Sequence, residues 1–240
     1  MLGSRTQNFP DCSFVRWLVI VASGVALCLV GYGVFLTPAT SHLSIAAAVT
    51  VLLAYAATGW VVIPLLSSHY PATLIVAKWA GLAAATVFAA EICLEYLFLP
   101  KNNAAWGLVE FSVVLFIYAF AGAWLAFARQ NIREAILAGT LSAVVSSIIW
   151  CIFILAVFYL FWGTHRQQEV FQAEGDFDDF RRSGMSSFQR FITEDFFGAT
   201  FFHLLLGPLA ASILALAGGG IGKGLAVVRG RIAGNRMNSA

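Results

Sequence analysis

Glu91 and Glu95 stand inside an otherwise apolar run, Trp79 to Leu99, in a chain that keeps most other acids out of such runs. At a spacing of i, i+4 on a helix, their carboxyls lie on one face, one turn apart. A carboxylate in hydrocarbon costs about 2.5–3.5 kcal/mol on insertion scales, so each needs a proton, a partner or water. Glu110 lies in the next apolar run, and the short connection Pro100-Lys101-Asn102-Asn103 folds the two runs into an antiparallel hairpin. At about 1.5 Å of rise per residue, Glu95 lies about 6 Å and Glu91 about 12 Å from the end of their span, with Glu110 about as deep as Glu95. His203 sits about 10 Å into the last apolar run from the same side. Carboxyls and an imidazole at one depth suit a proton relay or a cation site, because clustered acids cannot all ionise together. Glu91, the deepest, is the expected coupled group, with Glu95, Glu110 and His203 around it. In the competing reading, Glu95 and Glu110 face water or Lys101 at the interface, Glu91 is a protonated helix contact, and His203 is a packing residue.

The elements that position these residues follow from composition. The chain is 60% hydrophobic and 11% charged, with a mean hydropathy of +0.84. A soluble domain carries about 25% charged residues, and here the excess apolar content falls into runs of about 20 residues, the length a helix needs to cross a bilayer. The runs are continuously apolar where barrel strands would alternate. The expected fold is therefore an all-α, polytopic integral membrane helix bundle of about six transmembrane helices. A short amphipathic helical insertion falls between spans five and six.

In order, residues 1–14 form a polar N-terminal segment and residues 15–162 a five-helix transmembrane region. Residues 163–195 form an amphipathic loop, 196–222 the sixth span, and 223–240 a basic tail. The first span runs from Val15 to Leu36, longer than a secretory signal core of about 7–15 residues, and reads as a retained helix. The second, Leu43 to Leu66, contains Pro64, whose freed backbone partner neighbouring helices can satisfy. Pro71 suits a first helical position of the third. Arg5, Arg16, Arg129, Arg133, Lys223, Arg229, Arg231 and Arg236 share one side, with Lys78 close by. The other side holds Lys101 and the long loop, whose four arginines face seven acids. The positive-inside rule then places both termini in the cytoplasm, with the loop outside a plasma membrane of the bacterial inner-membrane kind. Trp17, Trp60, Trp79 and Trp124 fall at the inner ends of their spans and Trp106 and Trp162 at the outer ends, as aromatic belts require; Trp150 alone is mid-span.

In the loop, Phe171, Phe177, Phe180, Phe188 and Phe191 recur among charges. Short helices are expected around Asp176–Ser183 and Ser187–Glu194, divided by Gly184, with Ser186 and Gln189 in the form of a capping box. They would lie on the membrane surface with phenylalanines toward lipid, or else close as a lid over the span ends or form a docking surface for a partner. In span six, Gly218 and Gly222 form a G-x-x-x-G, as do Gly220 and Gly224, and allow another helix to approach closely. Gly207-Pro208 predicts a kink.

No metal, cofactor or nucleic-acid site is expected: the four cysteines show no paired spacing, Asp176, Asp178 and Asp179 lack a calcium-loop spacing, and the basic tail has its simplest role in retention at an anionic leaflet. No nucleophile–base pair appears, so no enzyme is expected. The expected partners are the lipid bilayer, a small ion or solute, and a second copy or another membrane protein. Two functions compete: a small transporter or channel-like subunit using the intramembrane acids, and a non-catalytic assembly or scaffold subunit of a membrane complex.

Overall fold

The computed structural model describes residues 10–38, 40–98 and 103–237. Its elements are α1 (Pro10–Leu36), α2 (His42–Ala57), a π turn (Thr58–Val62), α3 (Ile63–His69), α4 (Pro71–Phe98) and α5 (Asn103–Arg129), followed by α6 (Ile132–Leu160), α7 (His165–Glu174), α8 (Asp176–Ser183) and α9 (Phe188–Met237). Among the described residues this is an all-α bundle with no strand. Six stretches, α2 through α3 counting as one, are long and apolar enough to cross a membrane. The chain is a multi-pass membrane protein, and exposed apolar side chains such as Phe35, Leu43, Leu108, Phe116 and Leu160 give its perimeter to lipid. The segments 1–9, with Arg5, and 99–102, with Lys101, lie outside the described residues. Alternating passes put α7 and α8 at one end of the bundle, the insertion end, and the start of α1 and the end of α9 at the other, the terminal end.

α6 is the axis, and Leu141 to Ile148 are buried without a break. Lipid tails are as apolar as leucine, so close van der Waals contact and interhelical hydrogen bonds must hold such a helix in place. Small residues provide that contact. A Cβ on Gly81 of α4 would stand 2.7 Å from the Ser142 carbonyl of α6. Gly139 faces Ala211 and Ala215 of α9, and Gly122 of α5 lies against the Ala215 backbone. Gly218 and Gly222 rest on the carbonyls of Ala119 and Ala123 of α5, where any Cβ would overlap. Gly220 and Gly224 have open space around them, so the second G-x-x-x-G makes no contact. Hydrogen bonds join the same helices: Tyr118 to Ser146 at 2.6 Å and Thr140 to Ser212 at 2.6 Å.

The last helix continues through Gly207 and Pro208. Proline lacks the N–H that would bond the carbonyl four residues back, that of Leu204. Tyr55 of α2 donates its hydroxyl to this carbonyl at 2.6 Å. A neighbouring helix thus supplies the missing donor. Pro64 is accommodated differently: the preceding π turn, closed by the Ile63 N–H on the Thr58 carbonyl, makes room for the ring. α9 also begins at Phe188, earlier than the expected span, and its cap is Ser187, whose Oγ accepts from the Arg190 N–H at 3.3 Å. The expected capping box at Ser186 and Gln189 is displaced by one residue because the helix starts one residue later than that pattern requires.

Two consequences are measurable. Gly218→Ala should destabilise the detergent-solubilised protein by about 1–3 kcal/mol, the cost of overpacking, while Gly220→Ala should leave its denaturation midpoint unchanged. Tyr55→Phe should cost about 1–3 kcal/mol, because it strands the Leu204 carbonyl, and the same denaturation series would read the loss.

Candidate functional site

The insertion is built to sit on the span ends. Thr164 caps α7 by accepting from the Gln167 N–H at 3.2 Å. The Gln167 side chain donates to the Phe158 carbonyl at 2.9 Å and accepts from the Gly163 N–H at 2.9 Å, closing the end of α6. Arg166 Nε donates to the Tyr96 carbonyl at 2.5 Å, satisfying one of the orphan acceptors at the end of α4. Below, Val170 packs with Ile92 and Tyr96, and Phe171 with Phe158 and Ile192. The phenylalanines face one another: Phe177 stacks on Phe188 at 4.5 Å between centroids, and Phe180 meets both Phe188 and Phe191. They cover the span ends and do not lie in a row toward lipid. The sequence reading contains no helix at 165–174, because Val170 and Phe171 are adjacent and show no helical period until Tyr96 and Phe158 cover them.

α7 ends and α8 begins at Gly175, with φ of 87°, a left-handed conformation that suits glycine. That turn sets Glu174 and Asp176 on either side of one residue, above α4. Asp176, Asp178 and Asp179 in the first turn of α8 and Arg181 and Arg182 in its last complement the helix dipole.

Three of the four sequence candidates converge. Glu91, Glu95 and Glu110 line one pocket of about 360 Å³ between α4 and α5, walled by Leu94 and Trp106. Glu91 lies within electrostatic reach of Glu110 and of Glu174. Glu110 Oε1 is buried and has no hydrogen-bond partner among the described residues. Glu95 reaches the insertion, where it lines a cavity together with Glu174. The acids of the spans are therefore joined to those of the roof.

A second cavity, of about 200 Å³, lies under the insertion. Its carboxyls are Glu95, Glu174, Asp176 and Asp195. The last three were not among the sequence candidates. The signal available was the pair of acids flanking Gly175, which means nothing until the turn is placed over α4.

His203 is not part of the acid site. Its ring stacks on Trp150 with centroids 4.0 Å apart, meets Phe88 edge-on at 5.0 Å, and opens on a third, largely apolar pocket of about 410 Å³. Trp150 lines both that pocket and the acid cavity and stands between them. A rise per residue predicts depth but not the azimuth that decides its neighbours. Among the described residues no group of His, Cys, Asp and Glu is arranged to hold a metal ion.

Burial, with Asp195 and Glu174 nearby, pushes the Asp176 carboxyl up from 3.8 to about 6. Glu169, on the exposed side of α7, is lowered by its hydrogen bond from Arg166. Because the docked state holds the Asp176 proton more tightly than the unfolded chain, its docking is strongest below about pH 4 and weakens as pH rises through 6. Amide hydrogen exchange in 165–183, corrected for intrinsic rates, should be faster at pH 7 than at pH 4.5. Asp176→Asn should flatten that difference, and an equal difference in both proteins would contradict the assignment.

No protein-family model matches the chain, and no curated protein or solved structure shows significant similarity to it.

Proposed function

We propose that the chain handles protons or small cations as a transporter or channel-like subunit, with Glu91 as the coupled group. The observation that carries this is the placement of Glu95, which lines both the pocket of Glu91 and Glu110 and the cavity of the insertion acids. It links the roof acids to an intramembrane row, Glu95, Glu91 and Glu110, that no soluble or purely structural role requires. An ionisable residue inside a membrane is functional by default, since its cost must be offset by use.

For the alternative of an assembly subunit, Gly218 and Gly222 are covered by α5, and Gly220 and Gly224 remain open on the last helix. The orientation supported is both termini inside a plasma membrane. Arg16 lies over Trp60 at 5.0 Å and Lys78 over Trp79 at 4.5 Å at the terminal end, where cationic side chains beside interfacial tryptophans suit a cytoplasmic face.

Infrared difference spectroscopy on the reconstituted protein tests the reading. Switching the bulk buffer between acidic and neutral pH should change a carboxyl band that Glu91→Gln removes, and added Na⁺ should alter that band if a metal cation is the coupled species. A Glu91 band indifferent to bulk pH and to Na⁺ would mean a sealed helix contact and would overturn the reading.

A further inference from the structure

The terminal end of the bundle carries a cation that the acid row does not use. By the helical rise, Arg16 lies about 6 Å inside the span that begins at Cys12. A helical side chain leans toward its own N-terminus, which for α1 is the membrane surface at this end. No carboxylate among the described side chains pairs with Arg16. Glu134, the acid described at this end, accepts instead from Asn131 at 3.1 Å. The Arg16 Nε is buried without an acceptor. What the guanidinium meets is a corner of two indoles, with Trp17 at 5.4 Å and Trp60 at 5.0 Å from its Cζ. The two rings stand edge to face, 82° apart with centroids 6.4 Å apart, and both are exposed on the perimeter.

Local sequence builds that corner. Pro64 has no N–H for the Trp60 carbonyl, four residues back. The π turn Thr58–Val62 that accommodates it carries Trp60, and π turns recur at functional sites. Gly59, in the same turn, lies against α1: a Cβ there would stand 2.8 Å from Ile20 and 3.3 Å from the Arg16 carbonyl. This close approach is what brings Trp60 over a residue of another helix. Chemistry then sets the occupant. Aromatic rings attract a guanidinium, while its N–H edge is a planar fork that matches a phosphate bidentately. On a lipid-facing surface at this depth, the anion within reach is the phosphodiester of the adjoining leaflet, and basic residues between spans recurrently hold anionic headgroups. We propose that the corner of Arg16, Trp17 and Trp60 binds one anionic phospholipid, its phosphodiester on the guanidinium edge and its glycerol backbone against the indoles. A zwitterionic lipid brings an ammonium of its own beside Arg16 and is held less tightly. This site is independent of the acid row, and it assigns the groove between α1 and the π turn to a lipid of the terminal-end leaflet.

The test is native mass spectrometry of the delipidated full chain in detergent, titrated with dioleoylphosphatidylglycerol, dioleoylphosphatidylcholine or inorganic phosphate. The first phosphatidylglycerol is expected to bind about tenfold more tightly than the first phosphatidylcholine, the scale of one charge-assisted hydrogen bond. Arg16→Gln should abolish that preference, and Trp60→Leu should weaken phosphatidylglycerol about threefold through the lost ring. Arg133→Gln removes the same charge from an exposed position at the same end and should change neither affinity. Arg16→Lys keeps the charge but loses the planar fork, so it too should weaken phosphatidylglycerol, and it guards against a glutamine variant that fails to fold. Equal affinity for the two lipids in the wild type, an unchanged preference in the Arg16 variants, or an equal loss in Arg133→Gln would overturn the proposal. So would displacement of the lipid by millimolar inorganic phosphate, which would make the corner a site for free phosphate.

Discussion

The close approach of α5, α6 and α9 is the contact on which the other features rest. Inside a bilayer, burying an apolar face against another helix gains little over burying it in lipid, so association depends on atoms meeting at van der Waals distance. Gly122, Gly139, Gly218 and Gly222 bring backbones together where any side chain would collide. The hydroxyl bonds from Tyr118 to Ser146 and from Thr140 to Ser212 then fix rotation about each axis. Once α9 is held against α6, its residues Asp195 and Thr200 must face α4 and the insertion, and the acid cavity is formed at that end.

The same accounting of polar groups runs through the bundle. Pro208 removes a donor from the Leu204 carbonyl, and Tyr55 replaces it from another helix. Arg166 crosses from the insertion to the Tyr96 carbonyl, and Gln167 closes the end of α6. These backbone groups are satisfied by side chains from elsewhere in the fold, as hydrocarbon demands. The carboxyls are handled less completely. Glu110 Oε1 has no partner among the described residues, and burial with acidic neighbours pushes the Asp176 carboxyl up to about 6.

Trp150 organises that region from the centre. It floors the acid cavity, lines the apolar pocket beside it, and stacks on His203. It is the mid-span tryptophan that breaks the aromatic-belt pattern of the others. Its position between an acid cavity and an imidazole makes it a partition wall, and the imidazole behind it is a packing partner of Phe88 and Trp150.

Much of this architecture is determined by sequence alone, because apolar run length and continuous hydropathy depend only on local composition. The six spans, the helix at Asp176–Ser183 and the hairpin that places Glu110 beside Glu91 and Glu95 all follow from run length, helical period and short connections. Tertiary structure decided what depends on rotation about a helix axis and on neighbours distant in the chain. It separated His203 from the acids by the width of one indole, left Gly220 and Gly224 outside the packing that Gly218 and Gly222 enter, and brought Glu174, Asp176 and Asp195 over Glu95. Those three belong to the insertion and the start of α9, more than 70 residues from Glu95 in the chain, and no local pattern encodes their meeting. A helix period fixes which residues share a face, but only packing against α6 fixes where that face points.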